Sequence, residues 1–293
     1  MTMNRRALLL SGAASALLPM SARASEEAEP PLLAEDYAAA RAGFQTRLLR
    51  EGPAPDGGES LDPPPGARRI SYRSGGLELA AWLSDDATST AKRPAILFLH
   101  GGNALWHGHW DLTKPYREAG YVAMMPAFRA ENGQPGFFSG FYDETADALA
   151  TATTLRALPG VDPARLFLAG HSVGGTLTLL AAMSAPTFRA AAAFSPNPDA
   201  RAFFRRFPED IRFDAGNPRE FEMRSAACYA TSFKCPLLML HGSEETRSED
   251  AIRLTSARAK AAGLDVRHGI VPGSHTSALP GETAESLRFF AGI

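Results

Sequence analysis

Cysteine is scarce in this chain: 293 residues contain only Cys228 and Cys235. At most one bridge can join them. Seven residues apart, they suit either a disulfide in an oxidising compartment or, for Cys235 directly before the apolar run 236–240, a small buried thiol. Long apolar runs are also missing. No stretch reaches the ~18 residues of a spanning helix, which argues against a membrane span. No basic stripe and no Arg/Lys tract interleaved with aromatics occurs, and the formal charge is −2, which argues against a nucleic-acid partner. No internal repeat is visible. What is present is 45% hydrophobic residues, enough for one sizeable domain with a full core.

The first residues read as an address rather than as fold. Asn4-Arg5-Arg6 is a basic start, residues 7–20 are short and mostly apolar, and Ala22-Arg23-Ala24 is a small-x-small cleavage site. This predicts a signal peptide over 1–24 and a periplasmic or secreted protein. The paired arginines resemble a twin-arginine signal, with the general secretory route as the alternative. Cleavage after Ala24 removes three arginines and no acids, leaving a net charge of −5.

Residues 25–66 then read as a linker, a helix over 37–50 and a Pro/Gly-rich exposed loop over 51–66. From 67 to 293 the pattern is one domain. Strands at 69–73 and 77–83 flank Ser74-Gly75-Gly76, a hairpin signal. Strands at 95–99, 122–125, 166–169, 190–194, 237–240 and 266–271 follow. Helices at 111–119, 142–157, 174–183, 249–262 and 283–291 lie between or after them. Near-continuous apolar strands alternating with helices predict an α/β fold: a mostly parallel central sheet covered by helices on both faces. Residues 196–234 carry Phe203, Phe204, Phe207, Phe213 and Phe221, and read either as a small cap or as an aromatic-packed insertion.

The chemistry concentrates at Leu166-Phe167-Leu168-Ala169-Gly170-His171-Ser172-Val173-Gly174-Gly175. An apolar strand, Gly-x-Ser-x-Gly and an apolar helix in that order put Ser172 on a sharp turn, where glycines let strand and helix pass closely. The helix N-terminus below Ser172 favours developing negative charge. Strand 95–99 ends in His100-Gly101-Gly102-Asn103, where a glycine N–H can join that of Val173 as an oxyanion hole. His100 itself reads as a structural hydrogen-bonder. The run after strand 237–240 is His241-Gly242-Ser243-Glu244-Glu245, and the loop after the last strand holds His275. The order Ser172, Glu245, His275 is that of a hydrolase triad, with Glu244 and Asp199 as alternative acids. His107 and His109, between Trp106 and Trp110, lack neighbouring cysteines or carboxylates. They read as loop or packing residues, so no metal and no cofactor is expected.

The ordered landmarks RPAILFLHGG, AGYVAMMPAFR, PGVDPARLFLAGHSVGG, KCPLLMLHGSEE and PGSH resemble the α/β-hydrolase superfamily, and within it the dienelactone-hydrolase and prolyl-oligopeptidase-like serine hydrolases. They run from Arg93 to Phe290, about two-thirds of the chain. The resemblance implies an acyl-enzyme mechanism on a small-molecule ester or amide. Its usual His-Gly-x-x-Asp pattern falls with its fifth position on Glu245, a glutamate in place of aspartate. The oligopeptidases also carry a β-propeller, for which this sequence has no room, so their preference for short peptides is not implied. An ester is the favoured substrate, with a peptidase or a non-catalytic binder on the same fold as alternatives.

Overall fold

A computed structural model describes residues 29–88 and 91–293; the expected signal peptide at 1–24 lies outside the described residues. Eight strands form one sheet in the order β1-β2-β4-β3-β5-β6-β7-β8. They are β1 (Ala67–Ser74), β2 (Leu77–Ser84), β3 (Arg93–Leu99), β4 (Val122–Pro126), β5 (Val161–His171), β6 (Ala190–Phe194), β7 (Leu237–Gly242) and β8 (Val266–Val271). β1 and β2 form the expected hairpin, Ser74 pairing with Leu77 across Gly75 and Gly76 (φ 53° and 83°). β2 pairs antiparallel with β4, and every later pairing is parallel.

Successive side chains of a strand face opposite ways, and both sets are buried here. In β3, Ala95, Leu97 and Leu99 join one core, while Ile96 and Phe98 join the other. The first core takes residues from α1 (Tyr37–Ala42), α3 (Tyr142–Arg156), α4 (Val173–Ser184) and α7 (Glu249–Ala261); the second takes them from α2 (Lys114–Glu118) and α8 (Leu279–Ala291). A sheet buried on both faces explains why the parallel strands lack polar alternation. α4 is apolar on every side, and each residue from Val173 to Met183 is buried.

Three helix boundaries differ from expectation. The helix expected over 37–50 stops at Ala42, capped by Gly43. Residues 47–50 instead run beside 212–214: Leu48 bridges Phe213, and the Leu49 and Arg50 N–H groups donate to Arg212 O. The helix expected over 111–119 opens as a 3₁₀ turn, His107–Thr113, and becomes α-helical only at Lys114. Pro115 has no N–H with which to continue a helix begun at 111. α8 begins at Leu279, because Pro280 sits in its first turn, where a missing N–H leaves nothing unpaired.

Residues 196–234 hold α5 (Ala200–Arg206), α6 (Pro218–Glu222) and two 3₁₀ turns. Their phenylalanines pack edge-on: Phe204 on Phe213 and Phe213 on Phe221, both with ring centres 5.1 Å apart. The fully buried Arg224 ties this segment down. Its guanidinium donates to Glu220 Oε2 at 2.6 Å, Gly140 O at 2.8 Å, Ser139 O at 2.8 Å and Thr46 Oγ1 at 2.8 Å. Glu220 also accepts from Thr46 Oγ1 and the Arg47 N–H, both at 2.7 Å. Both cysteines are free: Cys228 is buried, Cys235 partly so, and burial pushes each thiol up to about 12. Arg224→Met is expected to leave Glu220 as an uncompensated buried charge and to lower unfolding free energy by about 3–5 kcal/mol. Urea denaturation measures this, and adding Glu220→Leu should recover part of the loss.

Candidate active site

Ser172 joins β5 to α4 with φ 57° and ψ −115°, a conformation non-glycine residues avoid. It is held by its N–H to Phe194 O and by its carbonyl from the Thr176 N–H, both at 2.9 Å. Its neighbours leave no room for side chains. A Cβ on Gly174 would lie 2.1 Å from Leu99 O, and one on Gly170 would lie 2.3 Å from Gly174 O. The Ser172 hydroxyl makes no hydrogen bond to any described residue and lines a cavity of about 910 Å³.

His275 lines the same cavity from the loop after β8, and its Nδ1 lies 2.5 Å from Glu245 Oε1. Glu245 Oε2 accepts from Ser195 Oγ at 2.5 Å and from the Gly242 N–H at 2.9 Å. Burial works to raise the Glu245 pKa, but these donors and His275 outweigh it and hold it near 2. Glu244 is exposed on the cavity wall and its carboxylate meets no donor among the described residues. Asp199 is elsewhere, capping α5 through the Arg201 N–H at 2.9 Å.

Gly102 (φ 70°) and Val173 face the cavity, and neither N–H is donated to another described backbone or side-chain group. His100 lies behind them, fully buried, with Nε2 3.1 Å from Glu131 Oε2 and Nδ1 3.1 Å from Gly101 O. Burial lowers its pKa, but Glu131 prevails and raises it, which suits a ring donating from both nitrogens. His107 contacts Glu59 and Asp62 O, and His109 Nδ1 accepts from the Trp106 N–H. Among the described residues no three His, Cys, Asp or Glu side chains converge as metal ligands.

Three contributors escape sequence reasoning. His171, the variable residue of the Gly-x-Ser-x-Gly turn, has Nε2 2.8 Å from His275 O, and its ring packs on that of His275 with centres 4.6 Å apart. Burial and the neighbouring His275 push its pKa down to about 4, so it serves as a neutral donor. Ser195, at φ 45° just beyond β6, supports Glu245. Glu282 of α8 lies 3.5 Å behind Ser195 Oγ, its pKa raised by burial and then by Glu245 to about 8. No motif marks these positions. Loop 51–66, expected to be exposed, buries Ala54 and Leu61 and brings Pro55 and Asp56 to the cavity wall.

Residues 142–275 match the model of the prolyl oligopeptidase family, Peptidase_S9. No curated protein matches the chain. Among solved structures, Pyrococcus horikoshii acylaminoacyl peptidase superposes with a TM-score of 0.64 at 22% identity, over 76% of this chain and 40% of that one. The chain therefore spans about 40% of that peptidase's length. A Thermogutta terrifontis esterase with propionate bound gives 0.61 at 22% identity, over 78% and 95% of the two chains. A Klebsiella pneumoniae chain assigned as a dienelactone hydrolase gives 0.60 at 17%, over 78% and 98%. The fold is that of the α/β-hydrolases, and residues 142–275, the stretch that resembles the prolyl oligopeptidase family, contain Ser172, Glu245 and His275. No helix among the described residues is long and apolar enough to cross a membrane.

Glu245 has a folded pKa near 2 against an ordinary 4.5, so its ionised form stabilises the fold. That contribution, about 3 kcal/mol, is complete above pH 4.5 and is lost as pH falls through 2. Urea midpoints of wild type and Glu245→Gln are expected to differ most at pH 7; the difference should shrink below pH 4.5, as the unfolded-state carboxylate protonates, and vanish near pH 2.

Proposed function

We propose that the protein hydrolyses carboxylic esters through an acyl-enzyme. Ser172 Oγ attacks the acyl carbon, and His275 takes the hydroxyl proton and returns it to the leaving alcohol. Glu245 fixes the imidazole tautomer and stabilises the imidazolium. The N–H groups of Gly102 and Val173 receive the oxyanion, and one such donor is worth about 2.7–4 kcal/mol. Water then attacks the acyl-Ser172 ester, with His275 again as base, releasing the acid. The observation that carries this reading is the 2.5 Å contact between Glu245 and His275 on the wall of the cavity that Ser172 lines. The hydrogen bond from a serine nucleophile to its base commonly tightens only once substrate is bound, which accommodates the unpaired Ser172 hydroxyl.

An ester is favoured because the match covers almost the whole of an esterase but only about 40% of a peptidase. Peptidase activity is the second reading, favoured by the family match over 142–275. Initial rates on p-nitrophenyl acetate against an N-acylated p-nitroanilide separate the two. A fluorophosphonate probe should label the wild type and not Ser172→Ala, whose turnover should fall by several orders of magnitude. A folded Ser172→Ala keeping more than about a tenth of wild-type turnover contradicts the assignment. Glu245→Gln should cut kcat strongly and Glu244→Gln only mildly; the reverse would move the acid by one residue.

Export is part of the same proposal, on the strength of residues 4–24. The mature chain should begin at Ser25. Replacing Arg5 and Arg6 by lysine should trap precursor in the cytoplasm if the twin-arginine route is used, and should leave processing normal if it is not. N-terminal sequencing of protein from its native cells reads both results.

A further inference from the structure

The cavity that Ser172 and His275 line also carries further carboxylates. Asp56, Glu209, Asp210 and Glu244 all line it, and none forms a salt bridge within the described chain. Asp210, in the 3₁₀ turn after α5, is only 6% exposed. Its carboxylate nonetheless accepts no hydrogen bond from any described residue. The carboxylate oxygens are not sealed off from the surface, so they open onto the cavity that Asp210 lines, where the donors of a ligand can reach them. Glu209 is its exposed neighbour in the same turn. Asp56 approaches from loop 51–66 and accepts the Asn103 N–H at 2.8 Å; a Cβ on Gly102 would lie 3.2 Å from the same oxygen. The anionic wall therefore reaches the oxyanion donor itself.

The cations nearby do not neutralise it. Arg50 is directed to the carbonyls of Glu209 and Ile211. Arg212 has a buried Nε without a partner and makes no ion pair among the described residues. Arg206 lies over the ring of Phe207, and Arg206 and Arg247 are both exposed at the cavity rim, whereas Asp210 is buried within it. The acidic side chains of the described residues are also not gathered as metal ligands, so an organic ammonium fits better than a metal ion.

We propose that Asp210, with Glu209 and Asp56, forms a subsite for a primary ammonium group, and that the preferred substrates carry such a group on the acyl chain. This rests on the hydrolase reading of Ser172. Three N–H donors on a compact cation match several carboxylate oxygens that have none. Burial, then Glu209 and Asp56, push Asp210 up to about 6, with Arg212 and Arg50 pulling the other way. Above that pH the subsite is fully anionic, and below it ammonium recognition weakens. Ionised Asp210 also opposes folding above its ordinary pKa of 3.8, so Asp210→Asn should be at least as stable as the wild type at pH 8.

The test compares p-nitrophenyl 6-aminohexanoate with p-nitrophenyl heptanoate, which has the same chain length and no charge, and with the mono-p-nitrophenyl ester of pimelate, which is anionic. At pH 8 the ammonium ester should have a kcat/KM at least about tenfold above heptanoate, and the pimelate ester should fall below it. The ammonium-to-heptanoate ratio should decline as pH falls through 6. It should collapse towards one in Asp210→Asn, and Glu209→Gln should lower it in part. Hexylammonium, titrated calorimetrically, should bind wild type and not Asp210→Asn. A ratio near one in the wild type, a ratio that survives Asp210→Asn, or a preference for pimelate overturns the subsite. Failure to hydrolyse any of the three esters overturns the hydrolase reading instead, and hexylammonium binding then still decides the subsite.

Discussion

The site depends on one steric constraint: three backbone segments meet where side chains cannot fit. At Gly174 the first turn of α4 touches the end of β3, and at Gly170 the end of β5 touches α4. A single methyl at Gly174 would overlap Leu99 O at 2.1 Å. Because this contact is non-negotiable, Ser172 is held at φ 57° on the crest of the turn. The same contact sets the end of β3 beside the start of α4, so Gly102 and Val173, the proposed oxyanion donors, line one cavity. Preorganised donors of this kind require no rearrangement when charge develops.

How much of this the sequence discloses depends on whether a feature is local. The turn at 170–175 is a contiguous pattern and its geometry follows from it. The strands are contiguous apolar runs, and β6 and β8 fall at their expected limits. Helix ends were less legible, because Pro115, Pro280 and Gly43 act through single missing donors or flexible dihedrals inside otherwise periodic stretches. The contact of Glu245 with His275, rather than of Glu244, turns on which way a backbone faces after β7. Adjacent glutamates carry no such information. Asp210 was invisible for a further reason: its burial depends on the 3₁₀ turn and on a loop more than a hundred residues earlier.

Behind the groups that face the cavity lies a layer of polar side chains that fix them. His171 engages the carbonyl of His275, so its ring and its backbone have separate anchors. Ser195 has one hydroxyl proton and directs it to Glu245. Glu282, raised to about 8, is protonated at neutral pH and has a proton to offer in return to Ser195. The line Glu282, Ser195, Glu245, His275 therefore carries one negative charge rather than two. A carboxylic acid at its far end lends dipole without repulsion, which is how two glutamates coexist in so small a volume.

Arg224 has a mechanical meaning. One guanidinium clasps Thr46, the carbonyls at 139–140 and Glu220, drawing three distant stretches of chain to a single point inside the molecule. Residues 196–234 are therefore pinned at their middle as well as at their two ends. They cannot swing open like a door without breaking a charged, water-free junction.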